Sequence, residues 1–242
     1  MAIVWASIRT HLRQQGLSPV AWLLSGLFPI ALAYVARQLG READLRLVAG
    51  VSAAAMIDTA AALVVLTVLS ERQWGTLRTV AGTTRRPELV LVGRLCGVLI
   101  QTLTVVPVTY AFVSVAWGLV PVPAPAVAVA GALVLAAGVV IVMMPLVAVL
   151  VRFRYHPGMT NGIPAVILAF TGALVPLAQL PSLMRACATV LPSAWAIEAV
   201  GSGQWRTLGY GVAVMAGWAL LGGVLLVLVF RRLRLRPDAF EV

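Results

Sequence analysis

At 242 residues, with 61% hydrophobic and 11% charged residues and a mean hydropathy of +1.00, the chain is too apolar for a soluble domain. Its +10 charge would suggest nucleic acid in a soluble protein, but here the arginines flank apolar runs, a pattern of membrane topology, so no nucleic-acid partner is expected. All 18 basic residues are arginine, so the lysine of a Walker A loop has no candidate and ATP cannot be held in the P-loop manner. The expected fold is all-α: one polytopic membrane domain over residues 1–242, with about six transmembrane helices.

Residues 1–16 read as an interfacial helix, with Trp5, Ile8 and Leu12 on one stripe and Arg9 and Arg13 on another. The first apolar run follows this basic segment and lacks a small-residue cleavage site, so no signal peptide is expected. Spans are predicted at about 18–37, 47–70, 88–120, 126–151, 162–180 and 208–230. Pro107 interrupts the third, predicting a kink, a cytosolic overhang, or both. Pro121, Pro123 and Pro125 form a rigid outer turn. The fourth span is rich in alanine and glycine, with Ala132 and Ala136 as a small-xxx-small pair. The end of the fifth span is ambiguous. Pro176, Pro181 and Pro192 cut residues 172–203 into pieces too short to cross, which read as re-entrant or surface helices. The last span stops at Arg231, Arg232, Arg234 and Arg236.

Orientation follows from the arginines. Positions 9, 13, 72, 78, 85, 86, 94, 152, 154, 231, 232, 234 and 236 fall on one side, and 37, 41, 46, 185 and 206 on the other. The richer side is the cytoplasm under the positive-inside rule, which places both termini there, in a bacterial cytoplasmic membrane.

The longest polar interruption between strong spans follows the second. Residues 71–81 read as a short amphipathic helix with Trp74, Leu77 and Ala81 on one face, followed by a Gly-Thr-Thr-Arg-Arg turn and a helix started by Pro87. Gly75 would let another backbone come close. Asp58, in the middle of the second span, is the costliest residue to insert, at roughly 2.5–3.5 kcal/mol. Its possible roles are lining a pathway, carrying a proton, or bonding to neighbouring hydroxyls. Arg94 is expected to snorkel to the cytosolic interface, and Gln101, Thr102 and Thr104 to bond within or between helices. His11 and His156 are expected to be solvated, without metal-ligand spacing. Glu198 would cap a short helix or face an exit. No paired-acid or Ser/His arrangement within the spans points to an enzyme.

Glu71-Arg72-Gln73-Trp74-Gly75-Thr76-Leu77 resembles the Glu-Arg-Glu-x-Gly-Thr-Leu stretch of the ABC type-2 permease family, the membrane subunits of ATP-binding-cassette exporters. Gly93-Arg94 is similar to that family's Gly-Lys/Arg pair, and Leu191-Pro192 with Trp195, Glu198 and Ala199 is similar to its Pro-x-x-aromatic-x-x-Glu-Ala segment. Gln73 departs from the family's second acid, and no proline directly follows the helix. The resemblance implies a non-catalytic permease with a coupling helix at 71–81, seated in a cleft of a separate ATPase. Glu71 and Arg72 would make charged contacts, Gly75 and Thr76 would lie at the seat, and Trp74 and Leu77 would anchor the helix to the bundle. It further implies two ATPase subunits holding ATP and Mg, and a second permease, identical or paralogous. The route would run between the permeases, with Asp58, Thr59, Phe170 and Thr171 as lining candidates. The nearly uncharged interior suits a small amphipathic or hydrophobic cargo such as an antibiotic. The alternatives are lipid-linked glycan export by the same permease type, or an ion-coupled transporter with Asp58 as the proton carrier.

Overall fold

The computed structural model describes residues 2–14, 19–40, 42–73, 75, 79–80, 82, 86–152, 158–173, 175 and 177–235. Side chains are described for these except residues 2, 19–26, 72–73, 152, 158–161, 163 and 233–235. Among the described residues the structure is all helix: α1 (Ala2–Gln14), α2 (Pro19–Gln38), α3 (Leu45–Gln73), α4 (Glu88–Thr102), α5 (Val105–Trp117), α6 (Pro125–Val142), α7 (Met144–Arg152), α8 (Gly158–Phe170), α9 (Ser182–Thr189), α10 (Pro192–Ser202) and α11 (Trp205–Leu235). Four stretches are long and apolar enough to cross a membrane: Leu45–Glu71, Glu88–Trp117, Pro125–Val151 and Trp205–Arg232. The count is five if α9 and α10, which meet at 96°, form one broken span.

The bundle is built around α3. Asp44 Oδ1 accepts the Leu47 N–H at 2.6 Å and caps its start. The helix then runs through Val51, Ala54, Ile57, Ala61, Val64 and Val68, all fully or almost fully buried. It packs against α2, α4, α5, α6, α7, α8 and α10. In its most apolar window 83% of residues are buried, against 11% for α11, whose Leu220, Leu221 and Val224 face outward. A helix apolar on every side belongs inside the bundle; α11 lies at its edge.

Small residues set the spacing. A Cβ on Gly50 of α3 would collide with the carbonyl oxygen of Ala173, just past α8, so the two backbones touch there. On α4, Gly93 and Gly97 receive Ser7 and His11 of α1, each pair four residues apart and on one face of its helix.

Two prolines follow breaks in the helices, whereas Pro29 and Pro164 lie within α2 and α8. Pro107 has no N–H for the Leu103 carbonyl, and the third stretch breaks at Leu103–Thr104 between α4 and α5. Pro145 likewise follows the break at Met143 between α6 and α7. The third span is therefore interrupted one turn before its proline.

Two expectations change. The fifth helix ends at Phe170 rather than near 180; its 13 residues reach about 20 Å, short of an apolar layer of roughly 30 Å. Residues 71–73 complete α3 instead of opening a separate helix. Gly75 sits in the left-handed region at φ +67°, a conformation favouring glycine just past a helix end, and nothing lies where its Cβ would be. Thr79 and Val80 are helical, and the Thr79 N–H bonds back to the Gly75 carbonyl at 3.2 Å, four residues earlier as in an α-helix. In α1, Trp5 is exposed, while Ser7 and His11 are buried against α4.

Candidate functional site

The polar groups gather at the two ends of α3. At its C-terminal end Glu71 turns inward and is buried, its Oε1 held by Arg94 Nη2 of α4 at 2.5 Å. Arg94 Nη1 donates to Gln14 Oε1 at the end of α1 at 3.0 Å. Ser7 Oγ donates to the Val90 carbonyl at 2.7 Å, which pins the middle of α1 to the first turn of α4. One guanidinium thus joins α1, α3 and α4, using the fork geometry that suits arginine to a carboxylate and an amide together. Arg94, expected to snorkel to the interface, is instead fastened within the protein, and Glu71 is buried against it rather than presented as an open contact.

His11 lies in the same joint, fully buried with neither ring nitrogen hydrogen-bonded. Burial, reinforced by the Arg94 charge, lowers its pKa to about 4, so it is neutral at pH 7. The expectation of a solvated histidine fails because the gap left by Gly97 is filled by the imidazole. His156 lies outside the described residues.

Of the expected ATPase-coupling residues, Trp74, Thr76 and Leu77 lie outside the described residues, as does the side chain of Arg72. Gly75 and Thr79 are exposed just past α3.

The expected pathway residues fall at two levels. Asp58 is half-buried in the middle of α3 and makes no hydrogen bond or ion pair among the described residues. Thr59 beside it is buried, its hydroxyl also unpartnered. Thr171, fully buried, donates to the Leu168 carbonyl at 2.8 Å, and Phe170 packs against the edge of the buried cluster formed by Val142, Leu180, Ala188, Leu191 and Ala194. Because Ala173 touches Gly50, Phe170 and Thr171 lie near the start of α3, whereas Asp58 is eight residues further on, about 12 Å along the axis. The two pairs sit on adjoining helices and do not converge on one spot.

At the N-terminal end of α3, Arg46 lies 3.6 Å from Glu198 of α10 and reaches the carbonyls of Gly172 and Val175 at 3.4 and 3.5 Å. Glu198 therefore holds α10 to α3 rather than capping a helix. The α9–α10 corner is closed by two indoles: Trp195 Nε1 donates to the Thr189 carbonyl at 2.9 Å, and Trp218 Nε1 to that of Val190 at 2.7 Å. Arg185 gathers the carbonyls of Leu177, Ala178 and Leu180 around the turn before α9. Sequence reasoning missed Trp218 and Arg185. The unsatisfied carbonyls expected wherever proline ends a helix were the available signal.

Among the described residues no group of three or more His, Cys, Asp or Glu side chains could hold a metal. No family model, curated protein or solved structure matches the chain.

Proposed function

We propose that this chain is the permease subunit of an ATP-driven exporter of the ABC type-2 kind. It would lie in a bacterial cytoplasmic membrane with both termini inside, working with a second permease and two ATPase subunits. The observation that carries the reading is the joint at the end of α3. The polar loop bearing the Glu-Arg-Gln-Trp-Gly-Thr-Leu sequence leaves the most buried helix of the bundle, and Arg94 fastens that exit to α1 and α4. A push on the loop would pass directly into three helices instead of being lost in a slack connection. Asp58 supports a route beside α3: a half-buried acid without a partner among the described residues calls for water, cargo or a second subunit next to it. The cargo is a small amphipathic or hydrophobic compound.

The same acid favours one rival, an ion-coupled transporter with Asp58 as the proton carrier. Vesicles reconstituted with and without the ATPase separate the two. The exporter requires transport that depends on the ATPase and on ATP hydrolysis and survives collapse of the pH gradient. Transport driven by a pH gradient without any ATPase would replace it with the rival.

A further inference from the structure

Nine buried side-chain nitrogen and oxygen atoms make no hydrogen bond among the described residues, and five of them belong to three residues: His11 of α1, and Arg94 and Gln101 of α4. They are both ring nitrogens of His11, both amide atoms of Gln101, and Nε of Arg94. Helix geometry brings the three together. Arg94, Gly97 and Gln101 follow at steps of three and four residues, so they share one face of α4 over about 10 Å. His11 sits on that face at Gly97, with its Cβ, Cγ and Cδ2 where the glycine's side chain would be, so neither ring nitrogen is pressed against the glycine. A helical side chain lies over the turn before its own Cα, which carries the Gln101 amide back over Gly97 and beside the imidazole. From the other side, Arg94 is close enough for its charge to act on His11.

The polar neighbours are already engaged. Ser7 gives its hydroxyl hydrogen to the Val90 carbonyl, and Gln14 and Glu71 take the two Nη groups of Arg94. His11 is fully buried and Gln101 only 3% exposed, so bulk solvent does not serve them. The unmet groups fix the chemistry of the partner they need. Arg94 Nε and the Gln101 amide nitrogen are donors, Gln101 Oε1 is an acceptor, and a neutral imidazole presents one of each. A cation would satisfy only the acceptors and would lie beside the Arg94 charge. An anion would satisfy only the donors, and Glu71 already neutralises the guanidinium. Water both donates and accepts, and internal waters are held by otherwise unsatisfied buried groups of this kind. We infer that the seam between α1 and α4 is an internal water site, in which water bridges the His11 ring to the Gln101 amide across Gly97 and Arg94 Nε is a further donor. The site belongs to the docking of α1 on α4 and needs no ATPase.

The test is solid-state NMR of the full chain in lipid vesicles, with histidine, glutamine and valine labelled with nitrogen-15 and magnetisation passed from water protons to the protein. The chain has two histidines, so His11→Phe assigns the ring signals. Signals from the His11 ring and the Gln101 side-chain amide should grow as quickly as that of exposed Gln204, although both residues are buried. The backbone amides of Val64 and Val65, equally buried on α3, should lag behind. Gln101→Leu should abolish the transfer at the His11 ring, while Gln204→Leu should leave it intact. Transfer at His11 no faster than at Val64 and Val65 overturns the inference. So does a direct hydrogen bond between the His11 ring and the Gln101 amide, since the two groups then satisfy each other. Transfer to His11 that survives Gln101→Leu overturns it as well, by assigning the water to solvent entering from outside. The comparison of His11 with Val64 and Val65 in the unaltered chain decides the matter even where a variant does not assemble.

Discussion

The two ends of α3 carry the same kind of bond in different settings. Arg94 and Glu71 are enclosed, with side chains 11% and 7% exposed; Arg46 and Glu198 are more open, at 19% and 40%. The enclosed pair also engages Gln14, next to a histidine too buried to charge, and draws α1 against α4. The open pair reaches only long contacts to the Gly172 and Val175 carbonyls and holds a corner that Trp195, Trp218 and Arg185 also secure. An enclosed charge that loses its partner stays desolvated, whereas an open one is taken up by water. The end of α3 leading into the polar loop therefore depends on one joint, and the other end rests on several.

Breaking the enclosed pair should have the largest effect. Glu71→Ala leaves Arg94 buried and uncompensated, at a cost of about 3 kcal/mol, read as a lowered unfolding midpoint in detergent. Adding Arg94→Ala to it should cost much less than the sum of the two single changes. An additive result would mean that the pair is not coupled. Gly50→Ala comes next, at about 2 kcal/mol, because the new methyl strikes the Ala173 backbone rather than a side chain that could turn aside.

Acid should then separate the ends. The pKa of His11 in the folded protein, about 4, lies below its ordinary value of 6.5, so the unfolded chain binds the extra proton first. The contribution of a neutral His11 is intact above pH 6.5 and is lost as the pH falls from 6.5 toward 4, with a slope approaching about 1.4 kcal/mol per pH unit. Glu71 and Arg94, charged neighbours in the same joint, remain in place in His11→Phe, which should flatten that slope in an acid titration of unfolding. An unchanged slope would assign it elsewhere. The smallest effect belongs to the open pair: Glu198→Gln should lower stability by about 0.5 kcal/mol in the same unfolding assay. A loss as large as that of Glu71→Ala would erase the contrast between the ends.

What the sequence displayed was local. Hydropathy marked α3, α11 and the long apolar stretches, and prolines marked the break near Pro107 and the cut-up region before α11, because each acts on its own few residues. Partners distant along the chain were hidden. Glu71 and Arg94 are 23 residues apart, and Arg46 and Glu198 lie on helices separated by most of the fold. In helices apolar on nearly every side, periodicity cannot indicate which face meets which neighbour. The docking of α1 did leave a trace, since Ser7 and His11 match the spacing of Gly93 and Gly97. A stripe search keyed to large apolar residues favours Trp5 instead. Asp58 was legible as an anomaly, but its lack of a partner among the described residues required the packed bundle.

The central claim is that a separate ATPase works this bundle through the loop beyond α3, and one crosslinking measurement tests it directly. A photoreactive amino acid replaces exposed Thr79, and the chain is illuminated in its native membrane and purified under denaturing conditions. The account predicts a covalent adduct with a nucleotide-hydrolysing protein, one that forms from the cytoplasmic side and changes in yield when ATP is supplied. Adducts with lipid alone, or accessibility of position 79 to an impermeant reagent outside the cell, would contradict it.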